Sequence, residues 1–218
     1  MIKYCVFDLD GTLLNTIDSI TYYVNKTLQN HDIEPITTDE AKTFVGTGAE
    51  NLIRYCLEYR GEYRSDEFLR LLLGEYKSAY DDEPLYLTAP YGGIPELIAE
   101  LRKRGIRLAV LSNKPDSVVA PIVESFFPGA FDMVLGAGAG YPLKPDPEGL
   151  FAVLNEFSAS PCEVAYFGDT STDIETGLAA GVAITCGVLW GFRSEVELSS
   201  AGADVLVAHP SEIIGVIA

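Results

Sequence analysis

The stretch KYCVFDLDGTLLN, from Lys3 to Asn15, sets the fold class of this chain. Tyr4, Cys5, Val6 and Phe7 form a run of apolar, β-branched and aromatic residues, too short for a helix and ended by Gly11. A strand apolar at every position belongs in a parallel sheet covered on both faces. Asp8 and Asp10 follow at once, with only Leu9 between them. In extended backbone, residues two apart face the same way, so both carboxylates can address one spot. Two like charges held that close resist joint ionisation unless a cation lies between them or one keeps its proton. A polar turn closing a strand would use the same residue types, but matching pieces downstream favour a reactive site.

From Thr16 to about Leu87 the periodicity turns helical. Ile20, Tyr23, Val24 and Leu28 recur at helical spacing, and Thr38 with Asp39-Glu40 opens a second helix. Leu52, Ile53, Cys56 and Leu57 mark a third; Phe68, Leu69, Leu72, Leu73 and Tyr76 mark a fourth. With no strand pattern between them, the spacing predicts a helical cap over 15–87, inserted between the two parts (1–14 and 88–218) of an α/β core. Beyond Gly92, strands are predicted at Arg107–Ser112, Met133–Gly136, Val164–Asp169, Ala183–Val188 and Asp204–Val207. Helices are predicted over Ile94–Lys103, Val118–Phe126, Glu148–Phe157 and Asp173–Ala180. That alternation implies right-handed crossovers and a doubly wound, Rossmann-like parallel sheet.

The 218 residues include 15 Lys+Arg against 32 Asp+Glu, a net charge of −17. So acidic a surface repels phosphodiester backbones, and no basic stripe offsets it, which argues against nucleic acid as a partner. The longest apolar stretch, Val182 to Phe192, is broken by Thr185, Gly187 and Gly191 and is too short to span a bilayer, so no membrane partner is expected. Cys5, Cys56, Cys162 and Cys186 are scattered with no C-x-x-C pair or nearby His, the usage of a reducing compartment and not of a disulfide frame or a zinc site. The first strand starts too early to leave room for a signal peptide, so a cytoplasmic protein is expected, as a monomer or weak homodimer.

The polar residues collect at the ends of the predicted strands. Asp8 and Asp10 follow the first, Ser112-Asn113-Lys114 the second, Lys144 the loop after the third, and Asp169 the fourth. A parallel sheet brings those ends to one edge, where open α/β sheets bind ligands. Three acids, a hydroxyl and a lysine gathered there suit a cation beside a phosphate.

The motifs FDLDGT, LSNK, KPDP and GDTSTD, in that order, resemble those of the haloacid dehalogenase-like hydrolases, in particular the phosphoglycolate phosphatase-like branch. The likeness extends to GVLWG (Gly187 to Gly191) and to the Gly46-Thr47-Gly48 turn of the cap. It implies a magnesium-dependent phosphatase for a small phosphorylated metabolite, with 2-phosphoglycolate as the leading substrate. By that resemblance Asp8 is the nucleophile, Asp10 the general acid and then base, and Lys144 the balancing charge. Thr12, Ser112 and the Asn113 backbone hold phosphoryl oxygens. The Mg2+ ligands are the Asp8 carboxylate, the Asp10 main-chain carbonyl and Asp169, with Asp173 in an outer or water-bridged position. The cap is the family's lid, hinged near Asn15–Thr16 and Leu87–Gly93. A glycine-rich turn at a helix N-terminus can receive an anion, which makes Gly46, Thr47 and Gly48 candidates for a substrate carboxylate, with Arg54 reaching the same group. Inorganic pyrophosphatase and phosphosugar mutase are the alternatives. Mutases usually carry a cap histidine where this chain has Ile20, dehalogenases lack an acid at the Asp10 position, and a non-catalytic binding module would not need one.

Overall fold

The computed structural model describes residues 1–218. Along the chain, β1 (Tyr4–Phe7) and β2 (Leu14–Asn15) lead into four helices, α1 (Ile17–Gln29), α2 (Thr38–Phe44), α3 (Ala49–Tyr59) and α4 (Asp66–Asp82). The short β3 (Ala89–Pro90) then returns to an alternating half: α5 (Ile94–Lys103), β4 (Arg107–Pro115), α6 (Asp116–Phe126), β5 (Met133–Ala137), α7 (Glu148–Phe157), β6 (Val164–Gly168), α8 (Ser171–Ala180), β7 (Ile184–Val188), α9 (Glu195–Ser200), β8 (Val205–Val207) and α10 (Ile213–Val216). Six strands form one parallel sheet in the order β5-β4-β1-β6-β7-β8. It is the doubly wound α/β sheet that the sequence predicts.

The apolar β1 occupies the middle because both of its faces are covered. Phe7 pairs in register with Val110 of β4 and Phe167 of β6 and stacks on Phe167 at 4.8 Å between ring centres. Phe7 belongs to a buried cluster that continues through Leu13, Leu14 and Ile17 into Leu28, Ile53, Leu57 and Leu72 of the helical insert. Val6 points to the other face, with Tyr166 and with Leu150 and Val153 of α7. Because β1 is flanked on both sides, the residues just past its C-terminal end are ringed by those that follow β4 and β6.

Several boundaries differ from the sequence reading. Strand β4 runs on to Pro115, and its pairing with β5 loses regular register between Leu111 and Pro115. The antiparallel ribbon of β2 and β3, Leu14 opposite Pro90 and Asn15 opposite Ala89, has strands too short to show periodicity. It ties together the two points where the chain enters and leaves the four helices. The same brevity hid α9 and α10. Cys5, Cys56 and Cys186 are buried, Cys162 is exposed, and all four are free thiols. No helix is long and apolar enough to cross a membrane.

Candidate active site

A cleft of about 700 Å³, counting its open mouth, lies between the C-terminal edge of the sheet and the inner faces of α1, α3 and α4 with the turn after α2. Asp8, Asp10, Ser112, Asn113, Lys114 and Lys144 line its sheet side, and Ile20, Gly46, Gly48, Leu52, Tyr76 and Tyr80 its helical side.

Lys144 organises the charges. Its ammonium lies 2.8 Å from Asp8 Oδ1 and 2.6 Å from Asp173 Oδ1, and it donates to the Leu111 carbonyl at 3.0 Å. Burial alone would lower the basicity of this lysine; Asp173 and then Asp8 more than reverse that, so it stays charged well above its ordinary range. Asp173 is held in turn from all sides. Tyr166 Oη donates to its Oδ1 at 3.2 Å, and the Thr170 amide and hydroxyl donate to its Oδ2 at 3.1 and 2.7 Å. With these partners its carboxylate orients Lys144. The Lys144–Pro145 peptide is cis.

The backbone of Lys144 is fixed by Asn113, whose Oδ1 accepts from the Lys144 amide at 2.8 Å. Asn113 Nδ2 donates to the Lys144 carbonyl and, across the cleft, to the Gly46 carbonyl, both at 3.0 Å. Ser112 faces the cleft, its hydroxyl accepting from the Lys114 amide at 3.2 Å.

Asp169 sits beside Asp8. One oxygen each from Asp8, Asp169 and Asp173 can be chosen so that all lie within 4.8 Å of one another, and all three side chains are buried. The Asp169 side chain occupies space that only glycine leaves open: a Cβ on Gly11 would come within 2.2 Å of its Oδ2, and one on Gly191 within 2.2 Å of its Cβ and 2.5 Å of its Oδ2. Gly11 in addition has φ of +89°, in the region that side chains avoid. Phe192 N–H donates to Asp169 Oδ2 at 2.8 Å and Thr12 Oγ1 to Oδ1 at 3.1 Å, while Trp190 Nε1 donates to the Thr12 carbonyl at 2.9 Å. Burial, and then Asp173 and Asp8, raise the Asp169 carboxyl well above its ordinary range. Burial likewise pushes Asp8 up to about 7, Asp173 and Asp10 adding to the rise and Lys144 opposing it. An all-oxygen cluster with more negative charge than its one lysine balances is the donor set that a hard divalent cation takes, so the residues fit Mg2+.

The structure thus brings Asp8, Asp10, Ser112, Asn113, Lys144, Asp169 and Asp173 to one place, and it redirects three other candidates. Thr12 is spent on Asp169 and does not line the cleft, so the expected contact of its side chain with a phosphoryl oxygen is replaced by support of that acid. Of the glycine-rich turn, Gly46 and Gly48 line the cleft, but Thr47 does not. Arg54 lies away from it, donating to Tyr63 Oη at 2.8 Å and pairing with Glu50 and Asp66, so it cannot receive an anion beside Gly48. Helical spacing alone did not reveal which side of α3 this arginine occupies.

Lys114 belongs to the LSNK motif, and the sequence assigns it no role. It is buried, its ammonium 3.1 Å from both oxygens of Asp10 and 4.3 Å from the centre of the Tyr80 ring. Burial works against its charge, and Asp10 and Tyr80 outweigh that, leaving it raised. A charged residue near the end of an otherwise mostly apolar strand is the only signal the sequence carries for it.

The haloacid dehalogenase-like hydrolase profile matches residues 5–186. The chain belongs to that family. It is 30% identical over 213 residues to a phosphoglycolate phosphatase of Aquifex aeolicus, covering 97% of this chain and 95% of that one. It is 31% identical over 218 residues to an N-acetylmuramic acid 6-phosphate phosphatase of Pseudomonas aeruginosa, with 99% and 95% covered. A crystal structure from Lactobacillus delbrueckii subsp. bulgaricus, provisionally described as a phosphoglycolate phosphatase, superposes with a TM-score of 0.93 at 29% identity, over 99% of this chain and 98% of that one. This haloacid dehalogenase-like chain is therefore a hydrolase, and its curated relatives named here are phosphatases.

Proposed function

We propose that the protein is a magnesium-dependent phosphatase for a small phosphomonoester, with 2-phosphoglycolate the leading substrate. The observation that carries this reading is the Lys144 ammonium bridging Asp8 and Asp173 at 2.8 and 2.6 Å, with Asp169 beside them and Asp10 facing the same cleft. Asp8 attacks phosphorus; a new bond forms from its oxygen to phosphorus as the ester P–O bond breaks, and Asp10 gives its proton to the leaving oxygen. Water then attacks the aspartyl phosphate and loses its proton to Asp10, and Asp8 departs as a carboxylate with release of inorganic phosphate. Lys144 stabilises charge on the phosphoryl oxygens, while Ser112 and the Asn113 main chain orient them. Asp8, Asp169 and the Asp10 carbonyl, with Asp173 outside them, would hold Mg2+, which would offset the repulsion between an anionic nucleophile and an anionic phosphate.

Residues 15–87 act as a lid on the core of 1–14 and 88–218, moving about the ribbon of β2 and β3 and excluding water during the first transfer. Ile20 lines the cleft and offers no proton-transferring group, which favours hydrolysis over isomerisation of a sugar phosphate. The test is phosphate release from a panel of monoesters, pyrophosphate and hexose phosphates, with and without Mg2+. Release that requires the metal and is fastest on small monoesters supports the reading. A folded protein that releases none overturns it.

A further inference from the structure

Two lysines line the cleft, one paired with Asp10 and one with Asp8, and the mechanism above uses only one. Lys144 belongs to the nucleophile: it pairs with Asp8. Lys114 belongs to the leaving group, because its partner is Asp10, the residue that must lie against the ester oxygen. A second buried ammonium is costly to keep unless something anionic meets it. Asp10 is the one carboxylate paired with this ammonium, and Lys114 also lines the cleft. A neighbouring anion would complete the lysine's surroundings.

The wall around Lys114 has room and polarity for such a group. Tyr80 of α4 lies under the ammonium, and its hydroxyl is buried and makes no hydrogen bond. An unsatisfied buried hydroxyl beside a cleft is a donor awaiting an acceptor. Lys114 and Tyr80 both line this cleft together with Asp10, so an acceptor seated between them is within a few bonds of the ester oxygen. Arg54, the other cation considered for this purpose, is turned to Tyr63, Glu50 and Asp66.

We propose that Lys114 and Tyr80 are the specificity-determining pair, receiving a carboxylate borne on the carbon next to the ester oxygen, so that the substrates are phosphate esters of 2-hydroxy acids. This rests on the phosphatase reading and narrows it. It assigns the alcohol half of the substrate to β4 and α4, and it leaves the turn at Gly46–Gly48 without the anion.

The test compares 2-phosphoglycolate with 2-hydroxyethyl phosphate, which replaces the carboxylate by a neutral CH2OH, in the magnesium-loaded full chain. The wild type should favour the carboxylate in kcat/KM by at least about tenfold, the factor that about 1.4 kcal/mol of differential contact gives. Lys114→Met should cost at least about tenfold more on 2-phosphoglycolate than on the neutral ester, with Lys114→Arg restoring part of the preference, and Tyr80→Phe should narrow the preference in the same sense. Equal wild-type rates on the two esters overturn the proposal and leave the phosphatase reading standing; that comparison needs no variant to fold. Equal losses on both esters in Lys114→Met also overturn it, reducing the lysine to a positioning residue for Asp10. Hydrolysis of no monoester at all overturns the phosphatase reading and this proposal together.

Discussion

Asp173 shows how much of this site is second-hand. It faces the cleft through Lys144, and four donors hold it there: Lys144, Tyr166 and the amide and hydroxyl of Thr170. Breaking one side of a buried ion pair costs about 3–5 kcal/mol, so Asp173→Ala should lower both melting temperature and turnover. Tyr166→Phe, which removes only one donor, should cost about 1 kcal/mol of stability, read by denaturant unfolding. Asp8 supplies the pH signature. Its folded-state carboxyl titrates near 7 against an ordinary 3.8, so the folded protein holds the proton more tightly than the unfolded chain between those values. Metal-free stability should therefore fall as pH rises from about 4 to about 7 and level off above, with Asp169 acting in the same direction. On the proposed function Mg2+ takes the ionised acids, so the rise in melting temperature on adding it should be larger at pH 8 than at pH 5, measured by scanning fluorimetry. A metal effect independent of pH would contradict that assignment.

At the scale of elements, the loop after β7 joins the acid cluster to the helices above it. Gly191 leaves room for Asp169, Phe192 donates to it, and Arg193 reaches across to the Lys42 and Val45 carbonyls at the C-terminal end of α2. A guanidinium there satisfies carbonyls that the helix leaves unpaired and meets the negative end of its dipole. Arg193→Ala should free α2 from the core, seen as faster amide exchange over α2 and a roughly tenfold fall in kcat/KM, the size of one charge-assisted contact. Gly191→Ala should instead push Asp169 aside and weaken Mg2+ binding, leaving α2 exchange unaltered. These links explain what was legible in the sequence and what was not. The continuously apolar β1 and the 3.6-residue stripes of α1, α3, α4, α5 and α7 record burial, which each residue carries in its own chemistry, so they could be read directly. Lys114 facing Asp10, Thr12 facing Asp169 and Arg54 facing Tyr63 depend on which elements meet, and spacing within one element holds no record of that. The ribbon of β2 and β3 is invisible for a third reason: two residues cannot display a period.

For the whole molecule, a net charge of −17 surrounds a cleft whose floor carries two buried ammonium groups. The contrast suits a small anion that can enter the cleft, and opposes a polyanion that must lie along the surface. Duplex DNA should therefore show no retention in a gel-shift assay at low salt, where cation-driven binding would be strongest. One apolar cluster runs from the sheet into the insert, so a cavity made in the insert should be felt by the whole chain. Leu72→Ala should cost about 2–5 kcal/mol in a single unfolding transition.

The central claim is that the Asp8 carboxylate takes the phosphoryl group. Asp10→Asn slows the second step by removing the base, and acetyl phosphate needs no acid to expel its acetate, so this variant with this substrate and Mg2+ should accumulate the intermediate. After acid quench, reduction with borohydride and peptide mass spectrometry, the account predicts homoserine at position 8 and nowhere else. Modification of another residue, or product formed with no trapped adduct at Asp8, would contradict it.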